Sequence, residues 1–286
     1  MIVRVRSLVF AAMMAALLTT GAHAQLSQAW KICEGYMANP TSEQQIKSCT
    51  EIIESGRETT ERLAIAYFWR GNAWRYRDNL QRAIADFTEA IRLNPKYRAA
   101  YGWRGELLCD TGDYDGAVAN YTDAIKVFPD DDYLIGSRGY AHFYRGDFPA
   151  SADDLRRAIQ LHRGSSHNED RAPMLYLALA RVGQDGSADL QSEVDVLKEL
   201  NYKIPNYKIP LIFDLFLGRS SPEAVLAAVD SRRTQCRTDF YVGEWHLIRN
   251  NRDEARRRLQ LASAKQCDFI HPTYQGAVAE LKRMIP

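Results

Sequence analysis

"FWRGNAWRYRD", Phe68 to Asp78, sets a glycine inside what otherwise reads as an amphipathic helix. A helix-interior glycine costs roughly 1 kcal/mol against alanine, so Gly71 needs a reason. The same dipeptide returns in "YGWRGELLCD" (Tyr101–Asp110) and in "IGSRGYAHFY" (Ile135–Tyr144). Arg70-Gly71, Arg104-Gly105 and Arg138-Gly139 follow one another at intervals of 34 residues. The glycine belongs to a repeating architecture.

Laid out on that period, the chain gives windows 64–97, 98–131 and 132–165, with the glycine at position 8 of each. Position 20 holds Ala83, Ala117 and Ser151, position 24 Phe87, Tyr121 and Leu155, and position 27 Ala90, Ala124 and Ala158. Position 32 is Pro95 and Pro129, and Arg163 breaks the column in the third window. These columns resemble the tetratricopeptide repeat, which has this period and these small, aromatic and proline places. The resemblance implies an all-α fold, a right-handed solenoid of helical hairpins. "YRDNLQRAIADF" and "TGDYDGAVANY" read as helix, turn and second helix. Small residues at positions 8 and 20 let paired helices approach, so contact area offsets the glycine's intrinsic cost.

The rest of the chain divides around this array. Residues 1–24 read as a leader: Arg4 and Arg6, an apolar run from Leu8 to Leu18, then Ala22-His23-Ala24 for cleavage after Ala24. Eleven apolar residues are short of the ~20 that span a bilayer, so the expectation is an exported periplasmic or secreted chain. Residue 25 is glutamine, which offers no lipid attachment point. An amino-terminal helical hairpin is expected over 25–57, three repeats over 64–165 and a degenerate helix pair over 172–200. A repeat-like module with degenerate spacing is expected over 201–286. "LHRGSSHNEDRAP" (Leu161–Pro173) reads as a polar loop and "NYKIPNYKIP" (Asn201–Pro210) as a linker. Ser221-Pro222 is a helix start, and a fourth frame over 236–269 carries Gly243, Ala255 and Ala262 at positions 8, 20 and 27. A last helix is expected near Pro272–Met284.

Without Arg4 and Arg6 the 37 basic residues become 35, against 36 acidic ones. That balance, with no long basic run, argues against nucleic acid as a partner. The five cysteines all lie beyond the leader, in a compartment that permits disulfides. Spacings of 16 and 31 suit links across helical hairpins and predict Cys33–Cys49 and Cys236–Cys267, leaving Cys109 free. No C-x-x-C and no histidine cluster points to a metal, and no glycine-rich phosphate loop to a nucleotide. No cofactor is expected.

In solenoids of this kind, positions 2, 5, 9 and 12 of each first helix line the concave face. They are Ile65, Phe68, Asn72 and Arg75, then Ala99, Gly102, Glu106 and Cys109, then Tyr133, Gly136, Tyr140 and Phe143. Phe68, Asn72, Arg75, Glu106, Tyr133, Tyr140 and Phe143 are the expected partner-binding groove, suited to a peptide segment. The competing reading is that the chain's own terminal segments cover these aromatics. Repeat domains that clamp a partner's terminal carboxylate use lysine at position 5 and asparagine at 9. Here only Asn72 matches and Glu106 would repel a carboxylate, so that subclass is rejected.

Catalytic constellations read weakly. Glu244 and His246 in "GEWHL" are not a metal-protease motif, and His246 falls at a place expected in the core. Ser165 and Ser166 between His162 and His167 read as a solvated loop, and Cys109 has no basic neighbour. Arg145-Gly146-Asp147 fits the repeat turn, and the sequon at Asn120 falls inside a helix.

"FDLFLGRSSPE" (Phe213–Glu223), "DFYVGEWHLIRNNRDEARRRLQLA" (Asp239–Ala262) and "CDFIHPTYQGAVAEL" (Cys267–Leu281) are similar to the carboxy-terminal part of the NlpI-type lipoproteins. Those are periplasmic tetratricopeptide adaptors that form homodimers and present cell-wall hydrolases to a protease. The resemblance implies a non-catalytic adaptor in envelope maintenance. The absent lipidated cysteine departs from that family. The alternatives are a self-associating protein whose groove its own terminal helices fill, and an enzyme of a type the sequence does not display.

Overall fold

The computed structural model describes residues 27–36, 39–201, 211–267 and 272–285. The leader expected over 1–24, and nearly all of the linker at 201–210, lie outside them. The fold is all-α, and no strand occurs among the described residues.

The chain forms two compact units that divide between Leu107 and Leu108, inside the second window. The first unit holds α1 (27–33), α2 (Ser42–Glu54), α3 (Thr60–Tyr76), α4 (Leu80–Leu93) and most of α5 (Arg98–Asp110). The second holds α6 (Tyr114–Val127), α7 (Asp132–Arg145), α8 (Phe148–Leu161), α9 (Asn168–Arg181) and α10 (Ser187–Asn201). It continues through the short α11 (Leu211–Phe216) and α12 (Pro222–Ala227) to α13 (Arg232–Leu247), α14 (Arg252–Ala262) and α15 (Thr273–Arg283).

The hairpin turns follow one rule. Position 15 takes a left-handed backbone at Asp78, Gly112, Gly146 and Asn250. Position 16 then caps the second helix: Asn79, Asp113, Asp147 and Asn251 accept from the backbone three residues on. Asparagine and aspartate tolerate the left-handed well better than other non-glycine residues, so the turn survives where glycine is missing. The Arg145-Gly146-Asp147 triplet is this turn. Asp147 caps α8, and its carboxylate also pairs with Arg145 at 2.7 Å.

The repeat glycine makes room for a side chain. A Cβ on Gly71 would lie 3.0 Å from Phe87 Cε1, one on Gly139 2.9 Å from Leu155 Cγ, and one on Gly243 3.0 Å from Leu259 Cγ. All three neighbours occupy position 24. The close approach expected between positions 8 and 20 is also present, since the Gly71 Cβ would sit 3.3 Å from the Ala83 carbonyl oxygen. Ala83, Ala117 and Ala255 at position 20 are fully buried.

In the first unit, α1 and α2 bury Ala29, Trp30, Cys33, Cys49 and Ile52 against Ile65, Ala66 and Trp69 of α3. Cys33 and Cys49 are joined, as are Cys236 and Cys267, and Cys109 is buried outside any disulfide.

α9 corrects the reading of Leu161–Pro173 as loop. The helix starts at Asn168 and contains Pro173. Tertiary partners override the polar look of the segment. Arg171 is almost fully buried and donates to Asp132 Oδ2 at 2.8 Å, while Asn168 donates to Glu193 Oε1 at 2.9 Å and to the His162 carbonyl.

Candidate functional site

The seven groove residues do not form one open stripe. In the first unit, Phe68 is 8 % exposed and stacks on Tyr97 at 4.8 Å, with Phe87 at 5.7 Å. Asn72 is also buried and donates to the Phe68 carbonyl at 3.3 Å. Both serve the core, because the ring of Phe68 closes the space between α3, α4 and Tyr97. Arg75 and Glu106 stay partly exposed.

In the second unit, Phe143 is fully buried with its edge to Phe148, ring centroids 5.3 Å apart. Tyr133 is partly exposed, 6.3 Å from the His167 ring. Tyr140 lies near Asp170 and Arg171 of α9 and Arg237 of α13, and burial pushes its phenol well up. The space left by Gly136 is filled, since a Cβ there would stand 2.7 Å from Arg171 Nε. Further along, α13 sets Arg237 against Asp170 at 2.8 Å and against Glu169, and Tyr241 donates to Asp170 Oδ1 at 3.0 Å. α9 thus lines the third window at Gly136 and Tyr140, with Arg237 of α13 near Tyr140, while Tyr133 and Tyr140 stay partly exposed.

Sequence reasoning passed over the arginine that precedes each repeat glycine. Arg70 grips Asp86 through Nε and Nη2, both at 2.8 Å, and Arg138 grips Asp154 the same way at 2.7 Å. The third nitrogen reaches back to a threonine of the preceding helix. Arg104 donates to Thr88 and Arg138 to Thr122, each at 3.3 Å. Arg70 donates to Thr50 on α2 at 3.1 Å, so α2 stands where a preceding repeat's second helix would. The signal was legible as columns at positions 23 and 25 (Asp86, Asn120, Asp154; Thr88, Thr122). In the fourth frame position 7 is Val242, and Arg258 at position 23 pairs instead with Asp239 at position 4, at 2.8 Å.

What stays available in the first unit is a cationic and aromatic cluster. The Arg75 guanidinium lies 4.1 Å from the Trp103 ring centre and 4.4 Å from that of Tyr76, and Arg82 lies 4.5 Å over Trp74. Tyr76 is 71 % exposed. The Arg75 Nε is buried and has no hydrogen-bond partner. Trp103, Trp74 and Tyr76 were missed because none falls on the concave positions.

The catalytic candidates separate. Glu244 is buried and bonds Arg181, whereas His246, expected in the core, is partly exposed and faces Asn251 at 3.3 Å. Ser165 Oγ lies 3.1 Å from His167 Nδ1, but the same oxygen accepts from the His167 backbone, which makes it a local turn. Asn120 of the sequon is buried. Among the described residues no group of three potential metal ligands occurs, and no helix is long and apolar enough to cross a membrane.

Models of the tetratricopeptide repeat match residues 64–97 and 104–166. The chain carries tetratricopeptide repeats. No curated protein matches the sequence. Among solved structures, a tetratricopeptide repeat protein from Parabacteroides merdae aligns over 90 % of this chain and 98 % of its own, at 12 % identity and a TM-score of 0.56. MamA (41-end) from Desulfovibrio magneticus RS-1 aligns over 64 % of this chain and 98 % of its own, at 16 % identity and a TM-score of 0.52. At such identities the likeness shows the tetratricopeptide scaffold and nothing finer.

Proposed function

We propose that this tetratricopeptide-repeat protein is a non-catalytic adaptor, exported through a leader removed after Ala24, that binds a segment of a protein partner. Its setting is the periplasm or the cell exterior, in envelope maintenance, as the resemblance to NlpI-type adaptors implies. Two disulfides at places predicted for an oxidising compartment support export.

One observation carries the choice of surface. Arg75 is held between Trp103 and Tyr76 with a buried, unpartnered Nε. Tryptophan, tyrosine and arginine dominate the energetic centres of protein interfaces, and a guanidinium fixed between rings presents its remaining donors with little entropy left to lose. Glu106 adds the one acidic groove residue of the first unit. Tyr133 and Tyr140, partly exposed with α9 alongside, take a supporting role.

A pull-down from envelope extract tests the reading. Arg75→Ala with Trp103→Ala is expected to lose the partner retained by wild type while far-UV circular dichroism and the melting curve stay within error. Retention of the same partner by the folded double variant sinks the proposal.

A further inference from the structure

The last helix of the second unit is docked in an unusual way. α15 buries mostly small residues: Ala277 and Ala279 are covered, and Gly276 sits where a Cβ would lie 2.7 Å from the Phe240 ring. At roughly 0.8 kcal/mol per buried CH₂, single methyls hold a helix weakly. Polar ties do more of the holding. Tyr144 Oη donates to the Pro272 carbonyl at 2.9 Å, Gln275 Nε2 to Asp110 Oδ1 at 2.7 Å, and Arg283 Nη1 to the Tyr144 carbonyl at 2.7 Å.

At its centre two carboxylates meet. Glu244 of α13 is fully buried and Glu280 of α15 nearly so. Arg181 Nη2, at the end of α9, stands 2.7 Å from Glu244 Oε2 and 3.0 Å from Glu280 Oε1, so one nitrogen bridges both. Arg283 contacts Glu280 from α15 itself. Glu244 Oε1 and Arg181 Nε are left without partners. From α8 the uncharged Phe148 ring faces the group, 5.3 Å from the Arg181 guanidinium and 5.6 Å from that of Arg283. From α14, Arg258 is committed to Asp239 and Glu254. The α13–α15 contact therefore brings two like charges together in a dry site.

We propose that α15 is a proton-controlled latch, closed over Asp110 and Tyr144 while Glu244 holds a proton and loosened once Glu244 ionises beside Glu280. The docked state raises the Glu244 carboxyl to about 7, through burial first and then the Glu280 charge, against the opposing pull of Arg181. A carboxyl raised in the docked state binds its proton more tightly there than in the open state. Docking is thus strongest below pH ~4.5 and weakens as pH rises through 7. Between pH 6 and pH 8 the linkage amounts to about a tenfold change in the opening equilibrium. Opening would leave Tyr144, Asp110 and Phe148 as a face shaped for a helix of small residues.

Hydrogen exchange of the full chain tests this, with α8 amides as internal reference and rates corrected for intrinsic pH dependence. Protection of α15 relative to α8 is expected to be about tenfold higher at pH 6 than at pH 8. Glu244→Gln is expected to remove that difference while helicity is retained, and Glu280→Gln serves the same comparison if the first variant fails to fold. A ratio of α15 to α8 protection that stays constant over this range in wild type overturns the latch. So does an unchanged pH dependence in either folded variant.

Discussion

Arg138 holds Asp154 through two parallel contacts of 2.7 Å and uses its remaining nitrogen to reach Thr122 in the preceding repeat. Arg70 repeats the arrangement with Asp86 and Thr50. One side chain therefore fastens the two helices of its own hairpin and the hairpin to its neighbour. Two-point guanidinium–carboxylate contacts are short and geometrically demanding. Asp154→Ala would leave a largely buried guanidinium half satisfied, at an expected cost of about 2–3 kcal/mol. Arg138→Met added to Asp154→Ala should recover a large part of that loss, because an apolar side chain of similar length no longer needs a partner. Denaturant melts of the single and double variants check this. A double variant less stable than Asp154→Ala alone contradicts it.

The repeat glycine makes a second prediction with two opposing magnitudes. Gly139→Ala gains roughly 1 kcal/mol of helix propensity. It also places a methyl 2.9 Å from Leu155 Cγ and 3.3 Å from Asp154 Cβ, both attached near the backbone of the packed helix. Overpacking of this kind costs typically 1–3 kcal/mol, so the net expectation is destabilisation of about 1 kcal/mol. Gly139→Ala combined with Leu155→Ala should cost less than the sum of the two singles, since truncating Leu155 removes the clash and the new methyl fills part of the space it leaves. Strict additivity in thermal melts would place the glycine's reason elsewhere.

Gly71, Gly105 and Gly139 were legible as an architecture because a side chain missing at a fixed period points to helices that touch at a fixed interval. Their crossing partner was less so. Phe87, Leu155 and Leu259 at position 24 look like ordinary core in sequence, and only coordinates show that they fill the space the glycine leaves. The groove was legible as a stripe but not as a surface. Helical spacing says which residues share a face, and it is silent on whether Arg171, distant in sequence, will fill the space at Gly136. The same limit hid α9, whose polar residues look like loop until Asp132 and Glu193 are seen to satisfy them.

Only strong acid should remove the ionic contribution at the first turn of α14. The carboxyl of Glu254, in the first turn of α14, is drawn down to about 2 by hydrogen bonds from Arg257 first and then Arg258. Its folded value lies below the unfolded one, so its contribution is present above pH ~4.5 and is lost as pH falls toward 2. Solvent screens the site, and an effect below about 1 kcal/mol is expected. Glu254→Gln should lower stability slightly at pH 7 and converge with wild type at pH 2. A gap that widens on acidification would be the wrong sign.

The disulfides should differ in what they hold. Cys33–Cys49 spans 16 residues and Cys236–Cys267 spans 31, and loop-closure entropy assigns them about 3 and about 3.7 kcal/mol on the chain-entropy model. The first joins α1 and α2, and α1 adds little beyond the buried Ala29 and Trp30 and the bond from Trp30 to Glu58 at 2.7 Å. Losing the link should therefore free α1 and α2 before the repeats are affected. Trypsin should then cut Cys33→Ser/Cys49→Ser protein after Lys31, Lys47 or Arg57 while α3 to α8 stay intact. Cys236→Ser/Cys267→Ser should leave those amino-terminal sites protected and instead lower the melting of the second unit, where Cys236 and Cys267 pack with Tyr274 of α15. Identical digestion patterns from the two variants would mean that the hairpin is held by its packing on Ile65 and Trp69 and not by its cross-link.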